Sequence, residues 1–274
     1  MEYRSTERMM YFGGGVSSAI KILIVANVSV FFLETLLELE STFNMFFGLV
    51  PKYLWSNLYI WQPFTYLFLH GGIWHLFINM LVLWMFGSEI ERYWGRREFL
   101  GFYFITGVGS GILTALFSLD STIPIVGASG AIYGVLLAYG MMFPNRVIYL
   151  YFLIPVKVKY FVLFIGGIAF ISSLTDTGSA VSHLTHLSGM AIGFLYMKSN
   201  VRISNLSDSL SNFKIKHEVK KAERVRKSYD NIRHEVDMIL DRINEVGYEN
   251  LTEEEKQRLE EASKVISKDK RDMS

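Results

Sequence analysis

The chain of 274 residues contains no cysteine, so disulfide bonds and thiolate metal sites are excluded. Charge is scarce in residues 1–197, which hold 10 Lys/Arg and 10 Asp/Glu, whereas residues 198–274 hold 17 and 16. Hydrophobic residues make up 51% of the chain, too many for an ordinary soluble domain of this length. This contrast predicts a membrane domain followed by a charged tail. The net charge of +1 gives no indication of nucleic acid, and we expect no such partner.

A signal-peptide pattern is also missing, because residues 1–15 are polar and the next apolar run leads into further apolar runs. Six segments have roughly the 17–25 residues that a membrane-spanning helix needs. They lie at about 20–38, 73–90, 98–118, 127–143, 158–174 and 180–197, and residues 149–155 could extend the fifth. We therefore expect an N-terminal segment at 1–19, a six-helix membrane domain at 20–197 and a helical tail at 198–274.

Basic residues predict the orientation of these spans, because Lys and Arg collect on the cytoplasmic side. They flank the first span and fill the connections after the second and fourth spans: Arg4, Arg8, Lys21, Arg92, Arg96, Arg97, Arg146, Lys157 and Lys159. The alternate connections hold only Lys52. Both termini are therefore expected to be cytoplasmic, in a plasma (inner) membrane.

The first external connection, at about residues 39–72, is long and aromatic. It is too short and discontinuous in apolar character to predict another span. Trp and Tyr favour the membrane interface, so we expect the segment to lie there. An ordinary aromatic belt and a role in substrate approach both fit this composition.

Ser129 lies between Gly127 and Gly130 in the fourth span, and small residues recur at Gly134. Small residues four apart let a neighbouring helix approach closely, and Gly189 and Gly193 repeat this spacing after His186. A serine hydroxyl needs a base to become nucleophilic, and histidine is the usual base near neutral pH. The pattern predicts a hydrogen bond between Ser129 and an imidazole. Simple helix packing is the alternative for the glycine pattern taken alone.

The second span carries His75 and Asn79, which share one helical face at a spacing of four residues. Both side chains can donate hydrogen bonds, and acyl transfer needs donors aimed at the developing oxyanion. Together with the backbone amide of Ser129 they would form a three-donor oxyanion site. Polar contacts between helices are the alternative for this pair. His70, five residues earlier, fits a structural hydrogen bond in the loop better than catalysis.

Metal binding is not expected, because no His-Glu-x-x-His motif, cysteine or neighbouring carboxylate accompanies the histidines. His183 and His186 lie close on one helix, and only one of them need be the base. No carboxylate is an obvious third member of a triad, so a Ser–His dyad is the simplest hypothesis. Tyr133, one turn after Ser129, could support the imidazole or be an ordinary core residue. No cofactor is expected.

These residues together resemble the rhomboid family of intramembrane serine proteases. The resemblance covers roughly residues 20–197 and is specific because four motifs occur in the family's order and spacing. The motifs are His70-Gly-Gly-Ile-Trp-His75-Leu-Phe-Ile-Asn79, Glu91-Arg-Tyr-Trp-Gly95, Gly127-Ala-Ser129-Gly130-Ala-Ile-Tyr133-Gly134 and His186-Leu-Ser-Gly189-Met-Ala-Ile-Gly193.

The resemblance implies an all-α, six-helix rhomboid bundle with a small cytoplasmic helical extension. It implies that Ser129 is the nucleophile and His186 the general base, while His183 is an extra histidine. It further implies oxyanion binding by His75, Asn79 and the Ser129 amide, and a supporting Tyr133 ring. The expected substrates are single-span or multi-span membrane proteins in the lipid bilayer, cleaved near the external face through an acyl-enzyme. Phe161 and Phe164 would lie at a lateral gate or simply face lipid.

Two other function classes stay open at this point. A non-proteolytic relative of the same fold would bind or retain transmembrane clients. A transporter or channel would place polar groups along a continuous pathway, whereas here they cluster on spans two, four and six. The sequence names neither the natural substrate nor the partner of the tail.

The tail has the composition of helices. Lys214–Lys227 contains seven Lys/Arg against two Glu, which fits a solvated helical face or contact with anionic lipid. A helix–loop–helix is predicted at about 232–267, with Gly247 ending the first helix. Thr252–Glu255 reads as a capping box that opens the second helix.

Overall fold

The computed structural model describes residues 15–150, 153–175, 180–199, 219–220, 223, 226–227, 230–231, 233–245, 247–260 and 262. The chain divides into two compact units, Met1–Asn205 and Leu206–Ser274. Most of the predicted N-terminal segment and most of Lys214–Lys227 lie outside the described residues.

The first unit is built from helices and one short hairpin. In chain order these elements are α1 (Ser18–Leu36), α2 (Glu40–Phe46), α3 (Pro51–Ser56), α4 (Gln62–Thr65), a 3-10 turn (Tyr66–Phe68), α5 (Ile73–Val82), a π turn (Leu83–Gly87), α6 (Ser88–Trp94), α7 (Arg96–Phe117), α8 (Ser129–Met142), β1 (Val147–Leu150), β2 (Ile154–Lys157), α9 (Val158–Thr175) and α10 (Ala180–Lys198). The π turn joins α5 and α6 into one continuous helix, Ile73–Trp94.

Three of the described helices are long and apolar enough to cross a membrane: Ser18–Leu36, Ile73–Trp94 and Arg96–Phe117. Two shorter apolar helices, Ser129–Met142 and Val158–Leu174, lie beside them in the chain. Large apolar side chains remain exposed on these helices, among them Phe32, Phe77 and Leu163. Such surfaces need lipid around them. The prediction of an all-α membrane protein is confirmed.

Residues 149–155 do not extend the fifth span, as the apolar run had suggested. Strands β1 and β2 instead pair antiparallel, with Tyr149 opposite Pro155 and Ile148 opposite Val156. Proline disfavours a helical conformation in the residue before it, and β-branched and aromatic side chains favour strands. The span therefore begins only at Val158, where the amide donates to the carbonyl of Arg146 at 2.8 Å.

The start of α1 is capped by a side chain from another helix. Glu91 of α6 accepts hydrogen bonds from the backbone amides of Ala19 at 2.9 Å and Ile20 at 3.2 Å, and from the hydroxyls of Ser17 and Ser18. The first amides of a helix lack intrahelical partners, and a carboxylate there also complements the helix dipole. Glu91 thus ties α1 to α6 at one end of the bundle.

The connection between α1 and α5 is compact and folds on itself through buried Gln62. Its amide side chain accepts from the Val50 amide at 3.0 Å and donates to the Met45 carbonyl at 3.1 Å. The short helices α2, α3 and α4 are consequently held as one packed segment. Its place relative to the membrane interface stays a prediction.

Helix α8 is surrounded by other helices, because buried residues occur around its whole circumference. They are Gly130, Ala131, Ile132, Gly134, Val135, Leu136, Ala138, Tyr139 and Met142. Apolar side chains on every face are typical of a central helix. Ser129, its first residue, is thereby placed at one end of the core.

In the second unit a helix over residues 233–245 precedes Gly247, whose φ of +82° favours glycine. The predicted capping box is present, because the Thr252 amide donates to Glu255 at 2.9 Å and the Glu255 amide donates to Thr252 Oγ1 at 3.4 Å. A second helix covers 253–260. An ion pair between Arg242 and Glu255 at 3.3 Å joins the two helices.

Candidate active site

Ser129 and His186 form the centre of the site. The hydroxyl Oγ of Ser129, at the start of α8, lies 2.8 Å from Nε2 of His186 on α10. This is the distance of a hydrogen bond to an imidazole nitrogen. The structure therefore brings together the two residues that the sequence singled out as nucleophile and base.

Glycines on both helices explain why these side chains reach each other. A Cβ added to Gly189 would lie 2.0 Å from the Gly130 carbonyl oxygen, and one added to Gly193 would lie 3.1 Å from the Gly134 Cα. Backbone therefore packs directly on backbone along this crossing. Small residues at this spacing permit such an approach. Any larger side chain at Gly189 would push α8 and α10 apart.

The imidazole of His186 is oriented by an aromatic stack. Its ring lies parallel to that of Tyr133, with centroids 4.2 Å apart and an interplanar angle of 5°. Nδ1 of His186 is buried and has no hydrogen-bond partner among the described residues. His183 lies one turn earlier with its ring edge-on to His186, 6.0 Å between centroids. Packing, rather than a hydrogen bond to Nδ1, fixes the ring in the described part of the chain.

Two polar side chains of α5 face the turn that precedes Ser129. A Cβ on Gly127 would lie 2.9 Å from Nε2 of His75 and 3.7 Å from Nδ2 of Asn79. Asn79 is buried, and its Nδ2 has no partner among the described residues. A buried amide group without a partner costs free energy unless something binds it. The two predicted donors and the Ser129 turn therefore converge on one place.

Gly127 has two reasons to be glycine. Its φ of +120° lies in a region that side chains rarely adopt, and His75 leaves no room for a Cβ. Gly130 is constrained by space alone, because a Cβ there would lie 2.3 Å from Ser110 Oγ. Both glycines shape the backbone around the hydroxyl.

The sequence gives no sign of the residues that hold the Gly127 turn against the segment between α1 and α5. The amide of Gly127 donates to the Tyr66 carbonyl at 2.9 Å, and the Tyr66 hydroxyl donates to the Gly107 carbonyl at 2.7 Å. Leu49 and Ile125 exchange two backbone hydrogen bonds of 2.9 and 2.8 Å. The segment between α1 and α5 is thus fastened to the nucleophile turn. Pairing between residues so distant in sequence leaves no local signal.

His70 is buried, with its ring 5.1 Å from the ring of His75. The Phe68 backbone lies close enough to act on the ring as a hydrogen-bond partner, although neither ring nitrogen meets strict hydrogen-bond geometry in the described structure. The structural hydrogen bond of this imidazole therefore stays a prediction. Burial and the nearby His75 lower the pKa of His70 to about 3, and the contact with Phe68 offsets part of that shift. A neutral ring that fills space beside His75 accounts for this position.

Three carboxylates of the described helices are engaged away from the dyad. Glu91 caps α1, Glu89 pairs with Arg146, and Glu98 accepts from the Tyr196 hydroxyl. Among the residues that the structure describes, no group of three or more His, Cys, Asp or Glu could hold a metal ion. The arrangement brings a hydroxyl, an imidazole and hydrogen-bond donors together, a set of groups that suits acyl transfer.

Comparison with known proteins identifies the family. A family model described as a rhomboid domain matches residues 57–202, more than half of the chain. The chain belongs to the rhomboid family. The matched region includes Ser129, His186, His75 and Asn79. The prediction of a rhomboid bundle is confirmed. The chain is accordingly a multi-pass membrane protein.

Several named relatives support this assignment. Rhomboid protein 1, mitochondrial, of Saccharomyces cerevisiae is 28% identical over 191 residues, covering 68% of this chain and 54% of that protein. Rhomboid protease GluP of Bacillus subtilis is 31% identical over 208 residues, covering 70% of this chain and 36% of that protein. RHOMBOID-like protein 4 of Arabidopsis thaliana is 35% identical over 139 residues, covering 49% of this chain and 32% of that protein. The chain thus matches between about a third and about half of the length of these relatives.

The tail has a separate match. A second family model, described as a family of unknown function (DUF6576), matches residues 223–265. This range includes the helix over 233–245, Gly247 and the capping box.

Proposed function

We propose that this rhomboid is an intramembrane serine endopeptidase that cleaves transmembrane-helix substrates near the external membrane face. The observation that carries the proposal is the 2.8 Å contact between Ser129 Oγ and His186 Nε2. A hydroxyl and an imidazole at this distance, beside the unpaired buried amide of Asn79, have little structural purpose in a helix bundle. The similarity to Rhomboid protease GluP supports the same chemistry.

In the proposed reaction, His186 Nε2 takes the proton of Ser129 as Oγ attacks the peptide carbonyl carbon. The negative charge that develops on the carbonyl oxygen is stabilised by the Ser129 amide, His75 and Asn79. The C–N bond then breaks, and His186 gives its proton to the leaving amine. Water, deprotonated by His186, hydrolyses the Ser129 ester and restores the hydroxyl.

The first amides of α8 add to this stabilisation. Ser129 is the first helical residue, so its N–H has no intrahelical acceptor and points out of the helix start. The helix dipole places partial positive charge at the same end. A developing oxyanion held there would therefore be favoured over the neutral carbonyl of the substrate.

We further propose a plasma-membrane location with both termini in the cytoplasm. The distribution of Lys and Arg supports this orientation, which puts Ser129 and the segment 37–72 toward the external face. Membrane-protein substrates would then approach laterally from the bilayer. The tail would then be cytoplasmic.

Phe161 and Phe164, the residues predicted at a lateral gate, lie far along the bundle from Ser129. Phe161 of α9 stacks on Phe86 at 6.2 Å, and Val162 beside it packs on Gly140. Gly140 follows Ser129 by eleven residues, about 16 Å along α8. Access to the hydroxyl would therefore open nearer Phe170, which is 55% exposed, than Phe161 or Phe164.

The test is cleavage of a model single-span substrate by the purified chain in lipid, compared with Ser129→Ala and His186→Ala. Both variants should lose cleavage while still binding the substrate. His183→Ala is the matched control, because it removes an imidazole one turn away and should leave cleavage within about ten-fold of wild type. Cleavage by Ser129→Ala at the wild-type rate would disprove the proposal and favour a non-proteolytic role in client binding.

A further inference from the structure

The hairpin between α8 and α9 exposes an apolar surface that the proposed chemistry does not use. Residues 147–156 contain no charged side chain. Leu153 is 81% exposed, Ile154 56% and Tyr149 54%. An exposed apolar patch of this kind marks a contact with another apolar surface.

Strand pairing alone does not account for the stability of this hairpin. Each strand has four residues, and a two-stranded hairpin is marginally stable in water unless one face packs on something. Ile148 is buried and lies opposite the half-buried Val156, so this face packs on the bundle. The neighbouring pair, Tyr149 and Pro155, is exposed and faces the other way. Ile154 lies on the same side as Ile148 yet is exposed, so the outer face and the end of the hairpin need a partner.

The base of the hairpin is held firmly at the end of the bundle away from Ser129. Arg146 pairs with Glu89, whose carboxylate also accepts from the Tyr139 hydroxyl at 2.9 Å. The Arg146 guanidinium lies 4.4 Å from the centre of the Phe143 ring. The 14 residues of α8 separate this end from Ser129 by about 20 Å. These contacts of Arg146 therefore fix the position of the exposed hairpin face relative to the bundle.

The partner that fits is the lipid leaflet at this end. The exposed residues continue directly into Tyr160 and Leu163 of α9, which are 57% and 71% exposed and face lipid in a multi-pass protein. Beside them, Lys157 is exposed and Lys159 is half-buried. The apolar stem of a lysine can lie along the hydrocarbon boundary while its ammonium group reaches the lipid phosphates. Strand edges with unpaired backbone groups belong at the interface rather than in the hydrocarbon core.

We propose that the paired strands Val147–Leu150 and Ile154–Lys157, together with Leu153, are inserted in the interface of the membrane. Their apolar face enters the acyl-chain boundary of the leaflet opposite Ser129, while Lys157 and Lys159 lie at the level of the lipid phosphates. Because β2 is followed directly by α9, the lipid contact also fixes the N-terminal end of that helix.

The absence of cysteine allows a direct test with a single spin label. Leu153→Cys, labelled with a nitroxide in the full chain, is placed in phosphatidylcholine–phosphatidylglycerol vesicles. The label should collide more often with oxygen than with a water-soluble nickel chelate. Asn145→Cys, an exposed polar position next to the hairpin, is the matched control and should show the reverse order. Tyr149→Cys provides a second reporter if the first variant folds poorly.

Two results would overturn the proposal. A label at position 153 as accessible to the nickel chelate as the label at 145 would mean that the face is in water. Spin–spin broadening at 153 would mean that a second copy of the chain covers it.

The two lysines are tested on the same label. With Lys157→Gln and Lys159→Gln added, the label at 153 should become shallower in vesicles that contain phosphatidylglycerol and stay unchanged in pure phosphatidylcholine. Equal depth with and without the lysines in anionic vesicles would refute their part in the contact.

Discussion

Gly189 of α10 packs directly against the Gly130 carbonyl of α8. A Cβ added to Gly189 would lie only 2.0 Å from that carbonyl oxygen. The contact is three residues after His186 and one after Ser129. It therefore sets the distance between the hydroxyl and the imidazole. The proposed reaction depends on this crossing as much as on the reacting groups.

Gly189→Ala should therefore lower cleavage without removing any reacting atom. A Cβ must move α10 away from α8, and a displacement of about 1 Å at a reacting group can cost about 100-fold in rate. Cleavage rate and thermal unfolding of the variant are the measurements. Gly167→Ala is the matched control, because a Cβ there meets nothing within 4 Å. Equal rates for the two variants would show that the crossing does not control the dyad.

Asn79→Ala should reduce kcat while leaving KM nearly unchanged. Its unpaired amide is expected to bind the oxyanion, and removal of one such donor costs roughly 100- to 1,000-fold in kcat. Steady-state kinetics on a single-span substrate measure the effect. Asn145→Ala changes the same residue type on an exposed loop and should behave like wild type. A rise in KM alone would instead indicate that Asn79 contacts the substrate in its ground state.

Gly127→Ala should lose both stability and activity. The positive φ costs about 1–2 kcal/mol for a residue with a Cβ, and that atom would also lie 2.7 Å from Cε1 of His75. Gly95→Ala has a comparable φ of +82° but no atom within 4 Å of its Cβ, so it reports the strain alone. The thermal unfolding temperature and the cleavage rate are measured for Gly127→Ala and Gly95→Ala. Activity lost equally in Gly95→Ala would contradict a specific role for the Gly127 turn.

Acidification should loosen the second helix of the tail. Hydrogen bonds from the Thr252 amide and hydroxyl lower the pKa of Glu255 below its ordinary 4.5. A lowered pKa stabilises the folded state above the unfolded pKa, and this contribution is lost as pH falls through the folded pKa. Amide hydrogen exchange over residues 253–260, corrected for intrinsic rates, should therefore show less protection below pH 4.5.

Glu255→Gln separates this effect from other carboxylates. The variant should show weaker protection of 253–260 at neutral pH, because a neutral amide accepts more weakly than a carboxylate. Its protection should also change less on acidification than that of wild type. A wild-type pH response in the variant would assign the effect to another group.

The sequence predicted the helices and the meeting of Ser129 with His186 because both leave local signals. Apolar runs located both ends of each long helix to within four residues. Paired glycines and the rhomboid motifs pointed to the crossing of α8 and α10. The bridge between Leu49 and Ile125 and the cap of α1 by Glu91 join distant segments and have no such signal.

The hairpin was misread for a different reason. A continuous apolar run fits a buried helix and a strand equally well. Pro155 and the β-branched residues favour strands, whereas the adjoining apolar span favours a longer helix. The exposure of Leu153 and Ile154 results from the strand pairing, for which the apolar run carries no signal.

The most direct test of the central claim is covalent labelling of the folded chain in lipid with a serine-directed fluorophosphonate. The account predicts modification of Ser129 alone, found by peptide mass spectrometry, and its loss in His186→Ala, where no base activates the hydroxyl. Retained labelling in His183→Ala would complete the predicted pattern. A chain that never reacts at Ser129, or reacts equally without His186, would contradict an activated serine.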